Sequence, residues 1–290
     1  MQSPQIGRLN ARLRSAIEQG LSSSVAKAIS AGAEVNHIDA LMTPLQQAGA
    51  YRSPPILEIL LKAGADPNSF VNSYNSSLVL AASECLTDSV EILLNHRADP
   101  NVQRGEALIQ SAKHNNLAAV KMLLSAGCEP NSTGIFGHEF PLAEAASGLK
   151  IDESLIQTHP VYFRRYLNIQ AEAKGKRGAA ELQRKGLDAL LDEVVSDRLK
   201  IIDALLEAKA QVNFQISCRG VLQSGTALHE AIAATNFVET VYLLTKGAEL
   251  TAVNEDGVTA NKLLAENGMK KMLLEYLAKD CAGEPNATAA

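Results

Sequence analysis

The phrase Ala31-Gly-Ala-Glu-Val-Asn36 decides how this chain of 290 residues is interpreted, because it returns five more times. Successive phrases end 32, 33, 30, 82 and 38 residues apart. A period near 33 predicts helix pairs stacked in a solenoid, in which each unit needs its neighbours to bury a core. The later copies are Ala63-Gly-Ala-Asp-Pro-Asn68, Arg97-Ala-Asp-Pro-Asn101, Ala126-Gly-Cys-Glu-Pro-Asn131, Lys209-Ala-Gln-Val-Asn213 and Gly247-Ala-Glu-Leu-Thr251.

Two further signals recur in phase with the phrase. Helix openings are marked by Thr43-Pro44-Leu45 and by Thr226-Ala227-Leu228-His229. Leucine pairs precede the phrases, at Leu60/Leu61, Leu93/Leu94, Leu123/Leu124, Leu205/Leu206 and Leu243/Leu244. On these residues the chain resembles the ankyrin-repeat family. The resemblance implies an all-α solenoid of about seven helix-turn-helix units joined by short hairpin loops.

The phase of the phrases divides residues 1–280 into a single repeat domain. We expect units at about 8–38, 39–71, 72–104, 105–134, 137–213, 214–254 and 255–280, with a helical insertion at about 150–197 in the fifth. Residues 281–290 are small and polar, and this composition predicts a flexible tail.

The second unit shows which residues should begin and end the helices. Thr43 can cap the first helix, and Gln46 lies three residues later, at the spacing of a capping box. Gly64 should end the second helix in a left-handed conformation. Arg97 and Lys209 occupy the same slot in two other units, where a left-handed backbone costs a side-chain-bearing residue about 1 kcal/mol.

The fifth unit is longer than one period, and two interpretations remain open. One is an insertion between the two helices of a single unit. The other is two further repeats that have diverged too far to recognise. We favour insertion, because residues 140–146 resemble a first helix, residues 197–206 resemble the matching second helix, and no closing phrase lies between them.

Charge is distributed unevenly along the chain. The net charge is −5, but the segment 159–186 carries seven basic and two acidic residues. A basic segment in an acidic protein is a candidate contact surface, although a solvated helix face is an equally ordinary explanation. The acidic remainder argues against nucleic acid as the main ligand.

Signals of catalysis and of metal or cofactor binding are missing from the sequence. The four cysteines and six histidines are not paired at ligand spacing, and no phosphate-binding glycine loop or nucleophile elbow occurs. We therefore expect no enzyme activity, cofactor or metal. No apolar run is long enough to span a membrane, and no secreted disulfide pattern is present, so we expect a cytoplasmic protein, monomeric and without a transmembrane segment.

In the family, partners bind the hairpin loops, or fingers, and the concave face lined by the first helices. The resemblance therefore places candidate partner-binding residues in four fingers. Aromatic and arginine side chains are frequent at interface hot spots, but Phe140 and Phe214 could instead fold beneath their own loops. The candidates are Phe70, Asn72 and Tyr74, then Arg104, then Phe136 and His138, and finally Phe214 and Arg219.

The insertion offers a second candidate surface, anchored on Tyr162, Arg164, Arg165 and Tyr166. Its two apolar stripes predict a helical hairpin, and aromatic residues beside arginine also suit anionic lipid. The sequence thus predicts a non-enzymatic adaptor or inhibitor. One more specific version is a bacterial effector delivered into a host cytosol, and a eukaryotic cytosolic adaptor fits the same features equally well. The alternative is an enzyme or an anionic-lipid-binding module whose site lies in the insertion.

Overall fold

A computed structural model describes residues 4–38, 42–50, 53–71, 75–147, 187–218, 221–222 and 224–274. This part of the chain is almost entirely helical. The exception is one pair of two-residue strands, β1 (Ser217–Cys218) and β2 (Val221–Leu222). The helices are α1 (Pro4–Glu18), α2 (Ser22–Ser30), α3 (Pro44–Ala50), α4 (Pro54–Lys62), α5 (Ser77–Ser83), α6 (Thr87–Asn95), α7 (Val102–Lys113), α8 (Leu117–Ser125), α9 (Pro141–Ser147), α10 (Leu187–Glu207), α11 (Ala227–Ala233), α12 (Phe237–Thr245) and α13 (Ala260–Glu266); residues 269–274 are also helical.

The helices stack in two parallel layers, as a solenoid requires. First helices follow one another in the order α1, α3, α5, α7, α9, α11 and α13, each in contact with the next. Second helices form the other layer in the order α2, α4, α6, α8, α10 and α12. One continuous apolar core, from Leu13 to Leu273, lies between the layers. The predicted all-α ankyrin-type solenoid is confirmed.

Left-handed residues recur at two slots in the described parts of the units. The slot after the second helix holds Gly32, Gly64, Gly127 and Gly247, and Arg97 and Lys209 adopt the same conformation with φ of 67° and 70°. The prediction for these two side-chain-bearing residues is therefore confirmed. A second slot between the paired helices holds Gly20, Cys85, Asn115, Thr235 and Gly268, with φ between 56° and 72°.

The predicted capping box of the second unit is present. The Thr43 N–H donates to Gln46 Oε1 at 3.0 Å, and the Gln46 N–H donates to Thr43 Oγ1 at 3.2 Å. The Gln46 amide also donates to the Asn75 carbonyl at 2.9 Å, so the cap joins the helix to the next unit.

The fifth unit has the contacts expected of one interrupted unit. Helix α9 packs between α7 and α11, and α10 packs between α8 and α12. The Gln211 N–H donates to Asn131 Oδ1 at 3.0 Å, which brings the fifth phrase directly against the fourth. Helix α10 begins at Leu187 and crosses the predicted insertion boundary near residue 197 without a break. Most of the predicted insertion lies outside the described residues, and its limits stay a prediction.

Asn236, which caps α12, and Glu239 in its first turn hold the helices on either side of the interruption. The Asn236 amide donates to the Ala146 and Ser147 carbonyls at 2.8 and 2.6 Å, where α9 ends. Arg198 of α10 forms a buried ion pair with Glu239 at 3.0 Å. Fingers join a second helix to the next first helix, whereas the interruption joins a first helix to its own second helix. Helix α9 therefore ends at the edge opposite the fingers.

Candidate functional site: the finger edge

A ladder of asparagine side chains positions the fingers. Asn36 Nδ2 donates to the Gly64 carbonyl at 3.1 Å, and Asn36 Oδ1 accepts from the Asp66 N–H at 2.9 Å. These side-chain to backbone bonds bridge one phrase to the phrase of the next unit. The same two bonds join Asn68 to Arg97 and Asp99, Asn101 to Gly127 and Glu129, and Asn213 to Gly247 and Glu249.

Aspartates close two of the turns instead. Asp66 Oδ1 accepts from the Asn68 N–H, and Asp99 Oδ1 accepts from the Asn101 N–H, both at 2.9 Å. This is the usual local bond of an Asx turn. Because the aspartate fixes its own turn, the asparagine amide is available to fix the spacing between units.

The first residues of α7, 102–106, form the finger that follows Asn101; we call them the short finger, and residues 103–105 depart from helical geometry. Gln103, Arg104 and Gly105 are all left-handed, with φ of 53°, 59° and 74°. The next phrase ends only 30 residues after Asn101, so fewer residues are available to reverse the chain. Each left-handed non-glycine residue costs about 1–2 kcal/mol. The surrounding contacts must therefore over-determine this turn.

Three hydrogen bonds hold the short finger. The Ser76 N–H donates to Gln103 Oε1 at 2.7 Å, which ties the finger to the third unit. The Gly134 N–H donates to the Arg104 carbonyl at 3.2 Å, which ties the short finger to the next finger. The Gly105 N–H closes the turn on the Asn101 carbonyl, also at 3.2 Å. The short finger is thus bonded on both sides as well as within itself.

Glycine at position 105 is required by space as well as by φ. A Cβ there would lie 2.1 Å from Ser132 Oγ and 2.5 Å from Ser132 Cβ. Ser132 is itself buried at the base of the next finger. The two fingers therefore approach each other more closely than a methyl group would allow.

Glu106 is the buried group that shapes the next finger. Its side chain is 2% exposed, Oε1 accepts from the Gln110 amide at 2.8 Å, and Oε2 accepts from the Ile135 N–H at 3.0 Å. A Cβ at Gly134 would lie 2.5 Å from Oε2, so the carboxylate fills the space that a side chain would need. The sequence analysis did not select Glu106. Its position could have identified it, because it is an acidic residue in the register of Ser76 and Thr226, which precede first helices.

Three predicted partner-binding residues come together at this point. Phe136 is 70% exposed, and its ring centroid lies 5.9 Å from that of exposed His138. The Arg104 guanidinium donates to Thr133 Oγ1 and passes over Gly137, with Nη1 placed 3.4 Å from where a Cβ would stand. Ile135, which the sequence analysis did not select, is 36% exposed beside them. We call Arg104, Ile135, Phe136 and His138 the Arg104–Phe136 surface.

The remaining predicted residues are dispersed. Phe70 is 43% exposed, but it lies in the finger after the second phrase. Phe214 is half-buried and packs edge-on against buried Phe140, with centroids 5.3 Å apart, so the alternative of folding beneath the loop fits both rings. The candidates Asn72, Tyr74, Tyr162, Arg164, Arg165, Tyr166 and Arg219 lie outside the described residues.

An ion-pair cluster ties this finger to the first helices. Lys113 of α7 lies 3.4 Å from Glu139 and 3.7 Å from Glu144 of α9. Burial raises the pKa of Glu144, and the nearby Glu139 and Glu230 carboxylates add to the effect. Burial acts to lower the pKa of Lys113, but Glu144 and Glu139 outweigh it and the pKa is raised. Glu139 is therefore held on the first-helix layer, and Phe136 projects from the loop before it.

The histidine of the helix-opening motif is structural. His229 Nδ1 accepts from the Thr226 N–H at 3.1 Å, so we place the proton on Nε2, which donates to the Val258 carbonyl at 3.2 Å. Burial lowers the pKa of His229 and favours this neutral form. The arrangement repeats that of Gln46 in the second unit. His229 thus acts as a hydrogen-bonding residue at the helix start.

The described residues offer little to support chemistry. They contain no group of three or more metal-ligating side chains, and within them no helix combines the length and apolarity needed to cross a bilayer. Cys128 is buried in the slot where other phrases carry alanine, and burial raises the pKa of its thiol to about 12. It packs as a small apolar residue and is not activated as a nucleophile.

Comparisons with known proteins agree with this architecture. A family model described as ankyrin repeats, in three copies, matches residues 13–104 and 45–134. Ankyrin repeat and KH domain-containing protein mask-1 of Caenorhabditis elegans is 26% identical over 259 residues, covering 81% of this chain and 10% of that protein. The chain thus spans about a tenth of the length of that relative.

Solved structures give the same fold. The human ASB11 ankyrin repeat domain matches with a TM-score of 0.60 at 18% identity, covering 90% of this chain and 91% of the other. The Bcl-3 ankyrin repeat domain matches with a TM-score of 0.59 at 19% identity, covering 87% and 92%. Together with the repeated phrase and the stacked helix pairs, these matches identify the chain as an ankyrin-repeat protein.

Proposed function

We propose that this chain is an adaptor or inhibitor that occupies the surface of a protein partner with its finger edge and concave face. Ankyrin repeats are protein–protein interaction modules, and families with this fold are typically non-enzymatic. The observation that carries the proposal for this chain is the Arg104–Phe136 surface. An exposed phenylalanine, an arginine and a histidine converge there on a backbone fixed by hydrogen bonds.

The rigidity of this surface is what favours binding. Side chains on mobile loops lose conformational entropy when a partner orders them, and that loss reduces affinity. Here the ladder, the buried Glu106 and the tie to Ser76 fix the backbone before any partner arrives. Large aromatic and arginine side chains on such a backbone match the composition of interface hot spots.

The test is affinity capture with three baits: the wild-type chain, Phe136→Ala and Phe70→Ala. Phe70 is the matched control, because it is an exposed phenylalanine on a different finger. We expect at least one protein to be captured by the wild type and by Phe70→Ala but lost with Phe136→Ala, as read by quantitative mass spectrometry. Identical captures by all three baits would remove the Arg104–Phe136 surface from the proposal.

The sequence-based alternative, an enzyme or anionic-lipid site in the insertion, needs its own test. Deleting residues 151–186 leaves α9 and the whole of α10 in place. A finger-edge binder should keep its partner after this deletion. Loss of the captured protein, or of vesicle binding that the wild type shows, would move the function to the insertion. A role as a bacterial effector in a host cytosol stays a prediction.

A further inference from the structure

We propose that the Arg104–Phe136 surface takes an acidic segment of a partner protein, in which an Asp or Glu side chain stands beside an apolar one. This inference rests on the proposed function and adds the chemistry of the partner. The carboxylate would lie on the Arg104 guanidinium, and the apolar side chain on Phe136 and Ile135.

Backbone strain gives the first argument. Gln103 and Arg104 are held left-handed at φ of 53° and 59°, although neither is glycine. Strain of this kind persists where the surrounding structure imposes it, and it concentrates at sites that clamp ligands. The consequence of the strain at this turn is a fixed, solvent-exposed Arg104.

The charge around Arg104 gives the second argument. Within the described residues no carboxylate forms an ion pair with Arg104, and its guanidinium donates to the Thr133 hydroxyl. One acidic side chain of the short finger and one of the next finger are otherwise engaged: Glu106 is buried and bonded to Ile135, and Glu139 is paired with Lys113. The guanidinium keeps donors that suit a carboxylate, which it can bind through two parallel hydrogen bonds.

The apolar neighbours select the kind of carboxylate. Phosphate groups are generally bound by clusters of arginine, and lipid headgroups by clusters of basic residues. Here one arginine stands beside Phe136, which is 70% exposed, and Ile135, which is 36% exposed. A peptide segment supplies a carboxylate and an apolar side chain a few ångströms apart, whereas a free phosphate supplies no apolar group.

The experiment is selection of a phage-displayed random 12-residue peptide library on the intact wild-type chain. Selected peptides are then measured by fluorescence polarisation against wild type, Arg104→Glu, Arg104→Lys and Phe136→Ala. We expect enrichment of Asp or Glu next to an apolar residue, and about a tenfold or greater loss of affinity with Arg104→Glu. Arg104→Lys should lose less, and added salt should weaken wild-type binding.

Each of the other outcomes counts against one part of the proposal. Peptides that depend on Phe136 but bind Arg104→Glu as well as wild type would overturn the acidic partner and keep the surface. Peptides that are indifferent to both positions, or no enriched peptide at all, would count against the surface and so against the proposed function as well. The selected peptides could also lack acidic residues and lose their binding when inorganic phosphate or anionic vesicles are added. That result would reassign the site to those anions. Circular dichroism of each variant separates lost binding from lost folding.

Discussion

The finger that follows Asn213 is here called the long finger (residues 214–225). It and the short finger show two ways to reverse the chain between a second helix and the next first helix. The long finger has room for the hairpin of β1 and β2, which pairs Ser217 with Leu222 and Cys218 with Val221. The short finger lacks that room and turns through three left-handed residues. Strand pairing therefore helps to hold the long finger, whereas the short finger is held by its own turn and by bonds to its neighbours.

The two fingers also cap the following helix differently. After the long finger, Thr226 and His229 form a capping box, and His229 donates to the Val258 carbonyl of the next finger. After the short finger, Ile109 stands in the register of His229 and cannot donate. The buried Glu106 carboxylate instead accepts the Ile135 N–H. The direction of the bond between units is reversed, and that reversal shapes the loop that presents Phe136.

The largest expected effect is that of Gly105→Ala in the short finger. The methyl group would collide with Ser132 at a φ of 74°, so we expect a loss of about 2–4 kcal/mol of unfolding free energy. The control is Gly257→Ala, at a φ of 73° with no atom within 4 Å, which should cost about 1 kcal/mol. Urea unfolding measures both. Equal losses of unfolding free energy for the two variants would contradict the close approach of the two fingers at Gly105.

Removal of the buried carboxylate should have the next largest effect. Glu106→Ala leaves the Ile135 N–H and the Gln110 amide without their acceptor, at a cost of about 2 kcal/mol. Thr226→Ala removes only a cap in the long finger and should cost about 1 kcal/mol. Glu106→Gln keeps an acceptor and should remain closer to wild type in thermal unfolding. If Glu106→Gln and Glu106→Ala are equally destabilised, loss of the hydrogen-bond acceptor does not explain the lower stability.

The residues that precede the two fingers should give a smaller effect of opposite sign. Arg97 comes before the short finger and Lys209 before the long one, and both are left-handed in a slot that otherwise holds glycine. Arg97→Gly and Lys209→Gly should each stabilise the protein by about 0.5–1 kcal/mol, because the relief of left-handed strain outweighs the freedom that glycine adds to the unfolded chain. A lower melting temperature for either variant contradicts this.

The smallest effect concerns pH and the long finger. The pKa of His229 is lowered by burial, so the unfolded chain takes up the proton first as pH falls below the ordinary value of about 6.5. His229 therefore contributes stability that is present above that pH and is lost as pH falls through the lowered pKa. His229→Gln introduces the residue that the second unit has at the equivalent position, Gln46, and should remove this pH-dependent part of the stability. Melting temperatures from pH 7.5 to 5 should fall less steeply in the variant; parallel curves would refute the assignment.

Much of the local structure was predictable from residue types alone. The Thr43–Gln46 cap and the left-handed Arg97 and Lys209 follow from local chemistry repeated in phase, and the structure contains them. The destination of the asparagine amides was not predictable, because their partners lie in the next unit. Asn36 and Asp66 are 30 positions apart, and only stacking brings them within 2.9 Å.

The sequence by itself determined the period, the helix pairs, the turn residues and the candidates Arg104, Phe136 and His138. Only the tertiary structure decided which candidates meet, because Arg104 and Phe136 belong to different units and are brought together by the left-handed turn and by Glu106. It also decided that Phe214 packs on Phe140. Period and propensity are properties of neighbouring residues, whereas a surface is made by units that the stacked core holds side by side.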